Sequence, residues 1–142
     1  QVGVPSKYFR NQPSATTSSR APRHKLAKDG LVEGYVFKDN KLTITGWFPV
    51  SHELRAQEYL AVSEFTTTSV RKIVVSNKER WDRVKLTGQA GQLLSGFVIT
   101  IYFNDRSFEH QPICIFSRSR GTQEWYRLST PQGTLGCVTH WI

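Results

Sequence analysis

Apolar and polar residues alternate in short runs from Leu31 to the end of the chain, and turn-forming residues separate these runs. An apolar residue at every second position gives an extended strand one face for the core. The runs recur at the spacing of about 8–12 residues that sandwiches and barrels have. No strand–helix–strand alternation occurs, which disfavours a parallel α/β sheet. The pattern therefore predicts an all-β body of about eight strands.

We predict an antiparallel two-sheet sandwich of the jelly-roll or immunoglobulin-like kind. The clearest run covers residues 97–103 and is apolar on both faces, which is typical of a central strand. Asp39 and Asn40 favour a turn between the first two runs, which then form a hairpin. Residues 51–56 are the one modest helix candidate, and residues 76–92 hold a weak edge-strand pattern. The other predicted strands cover residues 31–37, 42–48, 59–65, 70–75, 113–116, 124–128 and 137–141.

The first 29 residues carry little regular pattern and much of the charge. The formal net charge of the 142 residues is +8. Asp29 is the first acidic residue, and six basic residues precede it: Lys7, Arg10, Arg20, Arg23, Lys25 and Lys28. Their neighbours are rich in Ser, Thr and Pro, a composition that resists burial. We predict a flexible, irregular basic N-terminal arm over residues 1–29 and a single β-sandwich domain over residues 30–142.

A positive arm attracts polyanions such as nucleic acid. Arg118 and Arg120 lie at a predicted hairpin tip, and residues two positions apart in an extended chain project to the same side. With the arm, they are candidates to grip a phosphate backbone, because basic contacts release counterions. Binding should then weaken steeply with salt and be largely lost when residues 1–28 are deleted. The alternative for the arm is a solubilising tail or a linker. The alternative for the hairpin tip with Arg118 and Arg120 is a solvated turn.

Aromatic residues offer a second kind of site. Trp47, Trp81 and Trp125 form a stacking platform for sugar rings if they are exposed, whereas tryptophan is more often buried in the core. Trp81 also belongs to a cluster with Arg80, Asp82 and Arg83. The structural interpretation of that cluster puts Trp81 in the core and pairs Asp82 with a neighbouring arginine.

Catalytic and metal-binding patterns are absent from the sequence. The four histidines lie far apart, no C-x-x-C pair occurs, and neither a nucleophile elbow nor a phosphate-binding glycine loop is present. Cys114 and Cys137 form a disulfide if their strands are neighbours, but their apolar surroundings favour two unpaired buried thiols. The sequence has no apolar run of about 18 residues, so it predicts no membrane span. We therefore expect no enzyme, no metal and no cofactor.

These observations favour a non-catalytic structural or assembly subunit. Its β body would pack against other protein subunits, identical or different, and its basic arm would reach those neighbours or RNA or DNA. This is the general plan of capsid proteins, so a virion or another large macromolecular assembly is the favoured location. The alternative is a carbohydrate-binding or accessory module cut from a larger protein. A third hypothesis is a subunit of an organellar or ribonucleoprotein complex.

Overall fold

The computed structural model describes residues 12–50, 56–63, 69–105 and 112–130. These ranges contain eight strands, one α-helix and one 3-10 helix. The helix α1 (Trp81–Thr87) and the 3-10 helix (Ala90–Ser95) lie between β5 and β6. The strands are β1 (Ser14–Ser18), β2 (His24–Lys38), β3 (Lys41–Trp47), β4 (Gln57–Val62), β5 (Val70–Lys78), β6 (Gly96–Phe103), β7 (Cys114–Ser119) and β8 (Trp125–Ser129).

The strands form one mixed sheet in the order β1-β4-β7-β8-β2-β3-β6-β5. The β1–β4 and β2–β8 pairs are parallel, and the other neighbours are antiparallel. The end strands β1 and β5 also approach each other, so the sheet curls into a nearly closed barrel. The all-β prediction is confirmed, but the antiparallel two-sheet sandwich is wrong. In both architectures inward-facing residues alternate with outward-facing ones, so the sequence pattern fits either.

The core lies inside the curled sheet. On β6, Phe97, Ile99 and Ile101 are fully buried, while the residues between them are half-buried on the outer face. Leu42 and Ile44 of β3 lie opposite Ile101 and Ile99 in the ladder and are also fully buried. The alternation that predicts strands 42–48 and 97–103 is therefore the alternation that fills the barrel.

The predicted first hairpin is confirmed. Strands β2 and β3 pair up to Lys38 and Lys41, and only two residues connect them. Those residues, Asp39 and Asn40, have φ of 53° and 58°. Two left-handed residues in a row fit the right-handed twist of the flanking strands, and Asp and Asn tolerate that conformation well.

The prediction of an irregular arm is wrong for part of residues 1–29. Residues 14–18 form β1, and residues 24–29 are the first part of β2. No residue of β1 is buried, so the strand forms on backbone pairing with β4 and shows no apolar alternation. Lys7 and Arg10 lie outside the described residues.

The weak pattern over residues 76–92 is not an edge strand. Strand β5 continues to Lys78, and α1 follows from Trp81. The helix ends at Gly88, whose φ of 70° suits glycine. Residues 51–55 and the predicted strand 137–141 lie outside the described residues. No helix in the described ranges is long and apolar enough to cross a membrane.

Candidate functional site

A long bulge in β2, where it pairs with β8, forms one side of a surface cleft. Leu26 pairs with Arg127 of β8, and the next pair along the strands joins Leu31 to Ser129. Residues 27–30 of β2 therefore lie opposite the single residue Leu128. Gly30 closes the bulge with a φ of +104°, a conformation that side-chain-bearing residues rarely adopt. The extra residues carry the backbone away from β8 and leave room beside it.

The space beside the bulge is a cleft of about 420 Å³, which we call the bulge cleft. Phe48 and Tyr126 form its aromatic wall, with ring centroids 6.1 Å apart and planes tilted by 37°. Tyr126 is held there because it is the ladder partner of Lys25. Within the described part of the chain, its lining is Lys25, Leu26, Ala27, Lys28, Asp29, Phe48, Pro49 and Tyr126.

The cations of the bulge cleft are accessible. The Lys25 side chain is 72 % exposed, and its Nζ lies 3.6 Å from Glu124 Oε1. An ion pair this exposed contributes little energy, so Lys25 remains available to another anion. Lys28 is also exposed, and Asp29 next to it is the one carboxylate among the described lining residues. The cleft thus combines two lysines, one aspartate and two aromatic rings.

A second cleft of about 630 Å³ adjoins the first and shares Lys25 with it. Exposed Arg23 and half-buried His24 contribute to its lining, together with residues 122–124. The structure thus brings together Arg23, Lys25 and Lys28 of the predicted basic set. Arg20 is exposed in the connection between β1 and β2 and lines neither cleft.

Arg118 and Arg120 share one carboxylate. Arg118 Nε donates a hydrogen bond of 2.7 Å to Glu58 Oε1, and Arg120 Nε lies 3.9 Å from Glu58 Oε2. Glu58 lies on neighbouring β4 and is the ladder partner of Arg118. Since both arginines approach this one side chain, they lie on one side of the hairpin, as their spacing predicts. Glu58 therefore offsets part of the charge of the two arginines.

The three tryptophans have different surroundings. The Arg83 guanidinium lies 3.7 Å from the Trp47 ring centroid, and the Arg118 guanidinium lies 4.2 Å from that of Trp125. Trp81 is 59 % exposed on α1. Guanidinium groups therefore cover a face of two of the rings, an arrangement that does not favour a common sugar platform. The platform stays a prediction.

Arg80 is the centre of an ion-pair cluster. Its Nε and Nη2 donate to the two carboxylate oxygens of Asp82 at 2.9 and 2.8 Å, and its Nη1 donates to Glu33 at 2.7 Å. The predicted pairing of Asp82 with an arginine is confirmed, whereas Trp81 is not in the core. The hydrogen bonds from Arg80 are the main cause that lowers the pKa of Asp82 from 3.8 to about 2.

We expect the Asp82 carboxyl to titrate near pH 2. Because folding lowers this pKa, the stabilisation from the ion pair is present above pH 3.8 and is lost as the pH falls through about 2. A carbon-detected NMR titration of the side-chain carboxyl measures the midpoint directly. In the Arg80→Gln variant the midpoint should rise towards 3.8, and equal midpoints in the two proteins would contradict the assignment.

Cys114 is disulfide-bonded, contrary to the expectation of an unpaired buried thiol at this position. The pairing requires a neighbouring strand or loop to bring a second sulfur close, which apolar surroundings alone do not reveal. Cys137 is the only other cysteine in the chain, and it lies outside the described residues.

The sequence pattern predicts the cations of the bulge cleft but not its aromatic wall. Phe48 and Tyr126 look like ordinary strand residues, although Gly30 directly after two exposed charged residues is a signal for a bulge. No cluster of three or more His, Cys, Asp or Glu side chains suited to a metal occurs within the described ranges. No protein-family model matches the chain, and no match is found among curated proteins or among solved structures.

Proposed function

We propose that this chain is a non-catalytic subunit of a larger assembly and that it binds single-stranded nucleic acid at the bulge cleft. The observation that carries the proposal is the position of Lys25 and Lys28 beside the Phe48–Tyr126 wall. Proteins that bind single strands combine cations that follow the phosphates with aromatic rings on which bases stack. The bulge cleft holds both features in one place.

The dimensions of the cleft fit this ligand. A volume of about 420 Å³ lies within the range of small-molecule sites and has room for one nucleotide unit. A base against Tyr126 would place its flanking phosphates towards the exposed lysines, and Arg23 in the adjoining cleft extends the path of positive charge. Electrostatic attraction gives affinity without sequence preference, and stacking adds to it because every base has a flat face.

The assembly part of the proposal draws on α1. None of its residues is buried, and Trp81 and Leu86 are 59 % and 74 % exposed. Two exposed large apolar side chains on one short helix are candidates for contact with a protein partner. A partner subunit that covers α1 would remove both from water. A virion or another large macromolecular assembly is the location that this proposal favours.

We expect the Lys25→Gln/Lys28→Gln variant to bind a single-stranded RNA oligonucleotide more weakly than the wild type. Fluorescence anisotropy over a salt series measures the slope of log K against log salt. Loss of two phosphate contacts should reduce the magnitude of that slope by about 1.4, since each contact to a single strand contributes about 0.7. The affinity itself should fall most at low salt, where the electrostatic attraction is strongest.

The matched control is Lys78→Gln/Lys85→Gln, which removes the same charge from two exposed lysines that line neither cleft. Equal slopes for the two double variants would refute the site. Tyr126→Leu should weaken binding by about 1–3 kcal/mol with an unchanged slope, because it removes stacking and no charge. Tyr126→Phe should keep the wild-type affinity.

The carbohydrate-binding alternative has less support in the described geometry. Trp81 is the one tryptophan of the three that is largely exposed, while Trp47 and Trp125 each have an arginine over the ring. The nucleic-acid proposal explains why lysines and aromatic rings share a cleft, and a sugar platform does not require the lysines.

A further inference from the structure

A row of basic residues crosses the outer face of the sheet at the far end of β2. Lys38 of β2 pairs with Lys41 of β3, Lys41 pairs with Tyr102 of β6, and Tyr102 pairs with Lys72 of β5. Adjacent strands lie about 4.8 Å apart, so the four side chains form a continuous line across four strands. With Arg71, they form what we call the tyrosine patch.

A β-bulge adds the fifth member. The β5–β6 register shifts between Val70 and Lys72, so Arg71 is the extra residue. In a regular strand Arg71 and Lys72 would point to opposite faces, but here both cations approach the same ring. Arg71 Cζ lies 5.5 Å and Lys72 Nζ 4.8 Å from the Tyr102 ring centroid. Bulges re-aim side chains in this way, often at functional sites.

The charge of the tyrosine patch is not neutralised within the described part of the chain. Lys38 and Lys41 are directly opposite each other, an arrangement that repels. Both are exposed, and no described carboxylate lies within ion-pair distance of either or of the two cations on β5. An anion bound between the lysines would offset their mutual repulsion, because each ammonium group attracts it.

We propose that the tyrosine patch is a second site, which binds the phosphate groups of a nucleic-acid backbone. Lysine ammonium groups act as point charges for phosphate, and the Arg71 guanidinium adds a fork of donors. Tyr102 is a positioning residue, because the cations over its ring occupy the place where a base would stack. The site therefore recognises phosphate without base preference. Its ligand rests on the proposed function, but its residues are separate from the bulge cleft.

Two measurements test the tyrosine patch on the full chain. The first is a titration with inorganic tripolyphosphate, followed by amide NMR. We expect shifts concentrated at residues 38–41, 71–72 and 102, and their absence would overturn the phosphate site without touching the bulge cleft. The second is RNA binding by Lys41→Gln/Lys72→Gln, for which the salt slope should fall by about 1.4 in magnitude.

The Lys78→Gln/Lys85→Gln variant again supplies the matched loss of charge. A slope for Lys41→Gln/Lys72→Gln equal to that control would overturn the contribution of the patch to RNA binding, even if the bulge-cleft variant loses affinity. Poly-U and poly-A should be affected equally, and a loss confined to one of them would contradict a phosphate site. Tyr102→Phe should keep the slope, whereas Tyr102→Leu should reduce it by releasing Arg71 and Lys72.

Discussion

Replacing Gly46 with alanine should destabilise the protein by more than about 3 kcal/mol, at the upper end of what overpacking does. Gly46 is buried in β3, and a Cβ there would lie 2.7 Å from Phe97 Cζ and closer still to the Leu31 carbonyl oxygen. A flexible ring can move by a few tenths of an ångström. The carbonyl cannot, because β2 is paired with β3 along this stretch.

Gly34→Ala is the matched control, because Gly34 also lies in a strand and, among the described residues, its added Cβ would meet only Thr45 Oγ1, at 3.6 Å. That is ordinary contact, so alanine there should change the free energy of unfolding by less than about 1 kcal/mol. Urea denaturation of the two variants measures the difference. A Gly46→Ala protein as stable as Gly34→Ala would mean that β2 and β3 are not packed as described.

The sequence predicts the strands well where one face is buried. The alternation at residues 42–48 and 97–103 reflects the burial of Leu42, Ile44, Phe97 and Ile99, and the Asp39-Asn40 turn follows from local backbone preference. These features need only neighbours along the chain. Strand β1 gives no such signal, because its Ser and Thr side chains are never buried and its pairing with distant β4 is a property of the tertiary structure.

The sheet architecture could not be predicted from the same pattern. A sandwich and a curled single sheet both need one apolar face on each strand. Which of them forms depends on which strands are neighbours, and here β2 pairs with both β3 and β8. The edge-strand prediction over residues 76–92 was wrong for another reason: α1 buries none of its residues, so its sequence carries no pattern of buried positions.

The candidate site was half predictable. Charge alone identifies Lys25 and Lys28, because six basic residues precede the first acidic one. The aromatic residues that line the cleft beside the lysines come from distant parts of the chain. Phe48 follows β3, and Tyr126 lies in β8. Charge alone could not show that Arg118 is paired with Glu58, which lies 60 residues away in the chain.

The bulge cleft and the tyrosine patch are built in a similar way. In each, an irregularity in strand pairing presents extra cations beside an aromatic residue that a neighbouring strand holds in register. Tyr126 is paired with Lys25, and Tyr102 with Lys72. Under the two proposals the aromatic residue has different roles: at the cleft it would be a stacking surface, and at the patch it would orient the cations. Base identity should therefore influence only the cleft.

Phe116→Ala should lower the free energy of unfolding by about 3–5 kcal/mol, as expected for a large buried aromatic residue. Phe116 is fully buried in a small second cluster with Val62 and Cys114, apart from the main core. Its ring also meets the His24 ring edge-on, with centroids 4.7 Å apart. Loss of the Phe116 ring thus removes a support of the first residue of β2, one position before Lys25.

The effect of Phe116→Ala on RNA binding separates this cluster from the main core. Phe97→Ala is the matched variant: it should lose a similar 3–5 kcal/mol or so, but Phe97 packs on Tyr59 inside the barrel and lines neither cleft. At a temperature where circular dichroism shows both variants folded, only Phe116→Ala should weaken RNA binding. Equal RNA affinities for the two variants would mean that the second cluster does not position the cations of β2.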